Sequence, residues 1–520
     1  MKKNVVLVGF EARDQLAAGA KFLADAVSST LGPFGQNFFL EKKLRPTNDG
    51  VTISREIQIS RCIIHKPVEN CDCPFEIQNL GASAIREAAI KTVDEVGDGT
   101  STASTLAWEI YRSSLKFLGK DGVVGKKTPS EVAKQIEEER KDVTEKLVSL
   151  ATQVETEEDL VNSAVVATED KDLGKLIGSA QWELGKNGVL LAEETAERTS
   201  SVERIYGIRI DNGFGTSMIV NNQEKQTLEV EDSAVILTSY TLKNLKPIEG
   251  IINQLVKNGK TVITVIARAW TEEGIKVCLE NINNSAVKIY PLNAPYVDMQ
   301  QRFLDLQAVV GAKFFDSESS QLEDMQLTDV GFAKKIVARR FDAIITGTND
   351  VLTLGRIDKR LEEIQEKEKG SESEFEKKML QERAAQLKDG FAIVKVGSPS
   401  DMERKRLFDK AEDAVSAVRA AFQEGTVKGA GLAFKEIAEE LPETSILKIP
   451  LVSIYNQILS QAPVGWSVED WVRDPVKVLR VALEKACAAA SSFATAGGAI
   501  AQKIPSEMDT VFRRSLSDAE

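Results

Sequence analysis

Residues 97–102 read Gly97-Asp98-Gly99-Thr100-Ser101-Thr102, and Ala-rich helical patterns flank them on both sides. Glycines let a backbone approach a ligand closely, and the free N–H groups at a helix start attract anions. A carboxylate beside such a start can hold Mg²⁺, which takes few protein oxygens and completes its shell from phosphate. The motif alone leaves two readings open, because Gly-Asp-Gly also makes ordinary turns. No Walker A sequence accompanies it. The nearest stretch, Gly122-Val123-Val124-Gly125-Lys126-Lys127-Thr128, has the wrong spacing and no hydroxyl directly after its first lysine, so it reads as a surface loop.

Upstream, Leu16, Ala20, Leu23, Val27 and Leu31 recur at spacings of three and four, which predicts a helix over 13–31 stopped by Gly32-Pro33. A strand is expected at 37–40, a turn at Asn48-Asp49-Gly50 and an alternating, strand-like stretch at 51–55. Downstream, a long amphipathic helix is expected over 130–150. The middle changes character. Strand candidates at 234–238, 261–267 and 286–292 alternate with helical stretches near 248–257 and 272–281, the β-α-β rhythm of a parallel sheet. Residues 356–388 carry one apolar stripe through Ile357, Leu361 and Ile364 and another through Phe375, Met379, Leu380, Ala384 and Leu387. They read as a solvated helical hairpin without chemistry. After Asp389-Gly390 a strand at 391–396 leads into a helix carrying Asp413, and an Ala-rich helical block follows. That last block is like the first in composition, which implies a helical domain built from both chain ends with an α/β domain inserted. No internal repeat is present.

At 520 residues the chain is too long for one core, and roughly three domains are expected. The formal charge of −13, without a local basic patch, argues against nucleic-acid binding. The Val5-Val6-Leu7-Val8 run breaks at Gly9 and is followed by Glu11 and Arg13, too short for a signal-peptide core. Without a long apolar segment no membrane span is expected, and a cytoplasmic protein is the default. His65 is the one histidine, so catalysis must rest on carboxylates, backbone amides and a bound metal.

Several pieces, taken in order, raise the specificity. Thr30-Leu31-Gly32-Pro33, Asp49-Gly50 and Gly97-Asp98-Gly99-Thr100 lie in the first block. Ala411-Glu412-Asp413-Ala414 with Arg419, then Glu424-Gly425, Gly429-Ala430-Gly431 and Asp474-Pro475, lie in the last. In order and spacing this set resembles the group I (bacterial-type) chaperonin large subunits over nearly the whole chain, as a divergent paralogue. The resemblance implies a multidomain α+β fold. An equatorial domain would comprise residues 1–148 and 424–520, an intermediate domain 149–206 and 392–423, and an apical α/β domain 207–391. It also implies a Mg-ATP site. Asp98 would hold Mg²⁺, with Gly99, Thr100, Ser101 and Thr102 as phosphate donors. Thr30, Leu31, Gly32 and Pro33 would form a second wall. Asn48, Gly429 and Ala430 would complete the pocket, and Asp474 would bind the ribose. Asp413 would orient the attacking water, with Asp49 as companion carboxylate; phosphoryl transfer needs mainly positioning and charge neutralisation.

The chain departs from that pattern at several positions. Asn48 and Phe34 stand where lysines are usual, Ala430 replaces the middle glycine of a Gly-Gly-Gly turn, and Ala462-Pro463-Val464-Gly465-Trp466 is a short replacement for the segment over the base. Phe214, Ile252, Ile275 and Leu279 suit a client-gripping face, whereas Gly215, Met218, Glu249 and Glu280 fall where larger apolar groups are usual. The usual Gly-Phe-Gly-Asp turn is Pro295-Tyr296-Val297-Asp298, and one of two hinge glycines is Asp389. The Gly-Met tail is missing. An insertion at 60–74 holds Cys62, His65, Cys71 and Cys73, read first as a surface loop, with a metal site and a redox pair as alternatives. The expectation is an ATP-hydrolysing chaperonin that forms a homo-oligomeric double ring, binds non-native polypeptides and takes a small co-chaperonin lid. The competing expectation is a scaffold or hetero-oligomer subunit with little or no ATPase. Asp49, Asp98, Asp413 and Asp474 favour the first; the altered groove, Asp389 and the lost tail favour the second.

Overall fold

The computed structural model describes residues 4–40, 45–60, 63, 74–118, 127–186, 188–223, 226–296, 298–348, 350–371 and 373–502. Cys62, His65, Cys71 and Cys73 of the insertion, Gly122 to Lys126, Val297 and the residues after Gln502 lie outside them. The chain forms two compact units: Met1–Trp182 with Ala192–Ser201 and Val396–Glu520, and Glu183–Leu191 with Val202–Lys395.

The first unit begins with β1 (Asn4–Val8), α1 (Gly9–Ser28), β2 (Phe38–Leu40), β3 (Arg45–Thr47) and α2 (Gly50–Glu56). It continues through α3 (Phe75–Val96), α4 (Thr100–Ser114), α5 (Pro129–Ser149), α6 (Glu157–Thr168) and α7 (Lys171–Leu184). Strand β1 pairs antiparallel with a strand from the far end of the chain, Gly498–Gln502. Helix α1 buries Leu16, Ala20, Leu23 and Val27 on one stripe, as the spacing predicts, yet it stops three residues short of Leu31. The Ser29 and Thr30 hydroxyls donate to the Ala26 and Val27 carbonyls, each at 2.7 Å, and so satisfy the last turn locally. Thr30 and Leu31 are thereby left outside the helix, beside Gly32 at φ +78°.

Residues 51–55 are not a strand. Asp49 caps α2, its carboxylate accepting from the N–H groups of Val51 (3.1 Å) and Thr52 (2.9 Å). That cap overrides a period-two pattern only five residues long. Helices α1 and α3 cross antiparallel at very short range. A Cβ added at Gly19 would lie 1.7 Å from the Gln78 carbonyl oxygen, and one at Gly81 would lie 2.0 Å from that of Leu16. Glycine at both positions is what allows the two backbones to touch.

The chain passes to the second unit and back through β4 (Val189–Glu194), β5 (Ser201–Ile205) and the later β13 (Phe391–Val396), which pair in the order β4–β13–β5. The second unit contains β6 (Gly207–Ile210), β7 (Leu228–Leu242), α8 (Glu249–Lys257), β8 (Val262–Trp270), α9 (Glu272–Asn284) and β9 (Lys288–Asn293). Then come α10 (Met299–Val310), β10 (Phe314–Phe315), β11 (Gly331–Ala338), β12 (Ala343–Thr346), α11 (Val351–Gly370) and α12 (Glu374–Asp389). Strands β7, β8 and β9 are parallel, as their rhythm predicts. The sheet is nevertheless mixed, because β11, β12 and β6 add antiparallel to the other edge of β7. Helices α11 and α12 form the expected hairpin. The hairpin is tied down by buried Asp305, which accepts from Arg360 and Arg383 at 2.8 Å each. An ion pair this enclosed is sustained because both guanidinium groups find further acceptors, including the Gln301 carbonyl.

The first unit resumes with α13 (Asp401–Glu424), β14 (Thr426–Lys428), α14 (Leu432–Glu439), α15 (Lys448–Gln461), β15 (Arg473–Pro475), α16 (Val476–Thr495) and β16 (Gly498–Gln502). Its core joins both chain ends: Leu23 and Val27 of α1, Ile85 of α3 and Ile110 of α4 share one cluster with Leu483 and Cys487 of α16. Among the described residues no helix is long and apolar enough to cross a membrane.

Candidate functional site

A cavity of about 530 Å³ opens within the first unit, a size typical of small-ligand sites. Its walls come from the segments Thr30–Phe34 and Asn48–Gly50, the start of α4, helices α6 and α13, the turn at Ala430-Gly431 and residues 466–479. Of the residues singled out in the sequence, Thr30, Leu31, Gly32, Pro33, Asn48, Asp49, Asp98, Gly99, Thr100, Ser101, Thr102, Asp413, Ala430 and Asp474 all line it. Gly429 does not. It stands behind Asp474, and a Cβ there would meet the Asp474 Oδ1 at 3.0 Å.

Local sequence explains how each wall is built. Gly99 precedes α4 at φ +86°, a conformation that favours glycine, and no side chain caps the helix. The first amides of α4 therefore have no partner within the helix and face the cavity as an anion-binding end. Gly50 lets α2 start against them, since a Cβ there would lie 2.5 Å from the Ser101 Oγ. Thr30 and Ser101 are joined through their hydroxyls at 3.0 Å, which ties the loop after α1 to the start of α4.

Three carboxylates, Asp49, Asp98 and Asp413, meet at this point, and a fourth, Asp474, feels the charge of Asp98. Burial raises Asp98 above the usual carboxylate range and Asp49 adds to the effect, while the Gly99 N–H and Lys410 oppose it. Asp413, on α13, is pushed well above that range by burial and then by the charges of Asp98 and Asp49. Burial and Asp98 also lift Asp474 to about 7, against the N–H groups of Ala430 and Gly431 that it accepts. Carboxylates held this close disfavour one another's charged forms, and a bound cation would relieve all of them.

Ala430 adopts φ +53° and aims its own N–H and that of Gly431 at Asp474. An L-residue there costs about 1–2 kcal/mol. Ala430→Gly is expected to stabilise the protein by about 0.5–1 kcal/mol after the entropy of the freer unfolded chain is counted. A rise in the denaturant midpoint at unchanged slope would show it.

Several lining residues were invisible to sequence reasoning. Lys410 precedes Asp413 by one helical turn, a spacing that could have drawn attention to it. Glu169 and Ser163 carry no local signal, whereas Gly431 belongs to the Gly429-Ala430-Gly431 turn read in the sequence. Two departures from the family pattern meet in space: Phe34 and Trp466 pack edge to face with centroids 5.3 Å apart on the cavity wall.

A sequence profile of the TCP-1/cpn60 chaperonin family matches residues 23–447. The chain belongs to that family. Its chaperonin relatives include chaperonin GroEL of Acholeplasma laidlawii (strain PG-8A), 33% identical over 458 residues, which are 87% of this chain and 81% of that protein. Chaperonin GroEL of Aster yellows witches'-broom phytoplasma (strain AYWB) is 31% identical over 447 residues, 85% of this chain and 79% of that protein. Among solved structures, chaperonin gp146 from the bacteriophage EL 2 (Pseudomonas aeruginosa), crystallised in the presence of ATP-BeFx, is similar at a TM-score of 0.65. It is 19% identical, with 96% of this chain and all of that one covered, which is a likeness of fold. The architecture is accordingly the multidomain α+β chaperonin fold.

The client-facing expectation for this chaperonin needs one correction. Phe214 and Ile252 are 4% and 9% exposed and belong to the cores of the second unit. Leu279 is half-buried against the same core, whereas Met218 and Tyr296 are each 76% exposed. Packing beneath the mixed sheet decides this, and a one-dimensional pattern does not report it.

Proposed function

We propose that this chain is a ring-forming chaperonin subunit that hydrolyses Mg-ATP and uses that cycle to bind and release non-native polypeptides. The observation that carries the reading is the convergence of Asp49, Asp98 and Asp413 on the uncapped start of α4. The donor set fits a magnesium nucleotide. Hard carboxylate oxygens suit Mg²⁺, uncapped amides suit phosphate, and mutually repelling acids call for a cation. Among the described residues no group of three or more His, Cys, Asp or Glu side chains is set to hold a metal unaided. A magnesium ion held by Asp98 would complete its shell from phosphate and water, and would supply charge neutralisation at the phosphates.

The chain's own residues would do the rest. The amides and hydroxyls of Thr100, Ser101 and Thr102 would receive phosphate oxygens, with Thr30 to Pro33 and Asn48 opposite and Ala430 closing the wall. Asp474 would accept from ribose hydroxyls. Asp413 would orient a water and accept its proton, and the raised proton affinity of its carboxylate suits that work. The water oxygen bonds to the terminal phosphorus as the bond to the bridging oxygen breaks, leaving ADP and phosphate. Asp49 spends its oxygens on the N–H groups of α2 and would act through its charge.

Ring assembly has its own support. The pairs β1–β16 and β2–β3 are two-stranded sheets, which are marginal alone, and they carry exposed Val6, Val8, Phe39 and Ile500. A neighbouring copy would complete their edges. A homo-oligomeric double ring, a co-chaperonin lid and a cytoplasmic location belong to the same reading, as does an intermediate domain (149–206 and 392–423) swinging between equatorial and apical ones. Phosphate release from Mg-ATP by the purified protein tests the chemistry, and electron micrographs test the rings. ATP binding without turnover, in intact rings, would replace this reading with the scaffold. Micrographs showing monomers alone would remove both.

A further inference from the structure

We infer that Lys410 is the phosphate-binding cation of the nucleotide site and that Glu169 competes for it when no nucleotide is bound. This rests on the nucleotide reading above. Among the described lining residues, seven carboxylates face two ammonium groups, Lys171 and Lys410. Mg-ATP retains net negative charge, so a wall this acidic needs a cation that reaches the phosphates. Lys171 is exposed at the start of α7. Lys410 is mostly enclosed, one turn before Asp413 on α13, and its charge acts on both Asp98 and Asp413.

The partner that holds it is unusual. Lys410 Nζ donates to Glu169 Oε1 at 2.9 Å, and both side chains line the cavity. Glu169 closes α6 at φ +55°, in the left-handed region that favours glycine. Backbone strain of this kind persists where surroundings fix a side chain in place, and it gathers at functional sites. A second, separate feature of the same wall points to a missing ligand. Ser163, on α6, is 1% exposed and lines the cavity, and its hydroxyl has no hydrogen-bond partner among the described residues. A buried hydroxyl left unpaired is uncommon in a folded protein. Phosphate oxygens arriving between α6 and α13 would offer acceptors to Ser163 and to Lys410 released from Glu169.

The two members of the ion pair make the idea decidable. Were the pair only structural, removing either partner would harm turnover alike. If Lys410 serves phosphate, Lys410→Met loses a charge-assisted bond and Glu169→Gln frees the lysine, so the variants move in opposite directions. Steady-state Mg-ATP hydrolysis by the full-length protein is the measurement. Lys410→Met is expected to lower kcat/KM by about 10–100-fold, and Glu169→Gln to lower KM by roughly 2–5-fold. Asn48 lines the same cavity, so Asn48→Lys placed in the Lys410→Met background is expected to restore at least about ten-fold of the loss. Equal losses in Lys410→Met and Glu169→Gln, or wild-type kinetics in Lys410→Met, would overturn the inference. Should the wild type bind Mg-ATP without turning it over, the functional reading fails by itself. The same variants, titrated with Mg-ATP by calorimetry, then still decide Lys410 by the same opposite shifts in Kd.

Discussion

Asp413→Ala is expected to lower kcat for Mg-ATP by about 10²–10⁴-fold while leaving nucleotide affinity within a few-fold of wild type. The carboxylate lies on α13 at the edge of the three-acid cluster, where it would act on water in the transition state. Single-turnover phosphate release beside equilibrium binding separates the two effects. A parallel collapse of binding and turnover would move Asp413 from the chemistry to the pocket's architecture. The same substitution has an opposite signature on stability. Burial and two neighbouring acids raise Asp413 in the folded state, so its ionised form is penalised there. The penalty is absent below the ordinary carboxylate range and grows as pH rises through the folded value. Without nucleotide, Asp413→Ala should therefore melt above wild type near neutral pH, with the gap closing as the solution is acidified. Scanning calorimetry across that range checks the sign. Activity gained from a destabilising charge is a familiar exchange at catalytic sites.

Gly19→Val should prevent the first unit from folding, with an expected loss of more than about 4 kcal/mol. No rotamer helps, because it is the Cβ itself that would sit 1.7 Å from the Gln78 carbonyl oxygen. To accept it, α1 and α3 must separate, and Leu16, Leu23, Ile77 and Ile85 lose their shared packing. Gly19→Ala should already destabilise strongly, which grades the effect if the valine variant is insoluble. Gly355, inside α11, is the counter-case: among the described residues nothing beyond its own helix lies within 4 Å of its Cβ position. Gly355→Ala should stabilise by about 0.5–1 kcal/mol. Circular dichroism melts of the three variants against wild type test the contrast. Similar losses at both glycines would show that helix propensity, not backbone contact, governs them.

What could be read in advance was whatever is written in consecutive residues. The start of α4 announces itself because glycines, a carboxylate and hydroxyls sit next to one another. The helices with apolar stripes, α1, α5 and the α11–α12 pair, follow from the same local rule. The α2 segment reads as a strand because five alternating residues satisfy one, while the deciding event is a side-chain cap by Asp49, one residue upstream of the helix. The mixed sheet was half legible: parallel β7–β8–β9 follow from their spacing, but antiparallel β11, β12 and β6 depend on pairings with distant segments. The site shows the same division. Asp98 and its neighbours are local, whereas the Glu169–Lys410 pair joins residues 241 positions apart and follows no periodicity. The burial of Phe214 and Ile252 likewise belongs to packing, which no stripe of sequence discloses.

The pairing of β1 with β16, and of α3 and α4 with α16, also governs the order in which the molecule can be completed during translation. The second unit is drawn from Glu183–Leu191 and Val202–Lys395, so everything it needs has been synthesised before α13 is begun. The first unit waits far longer. Leu23 and Ile85 emerge early, yet Leu483 and Cys487, which cover the same core, follow roughly 20–90 s later at ordinary elongation rates. In the last part of that interval a nascent chain carries a fully synthesised insert and a helical half still open on its apolar side. Protection of the half-made first unit by holding factors, or by slow collapse onto itself, is thus a requirement set by where α16 lies in the gene's reading order.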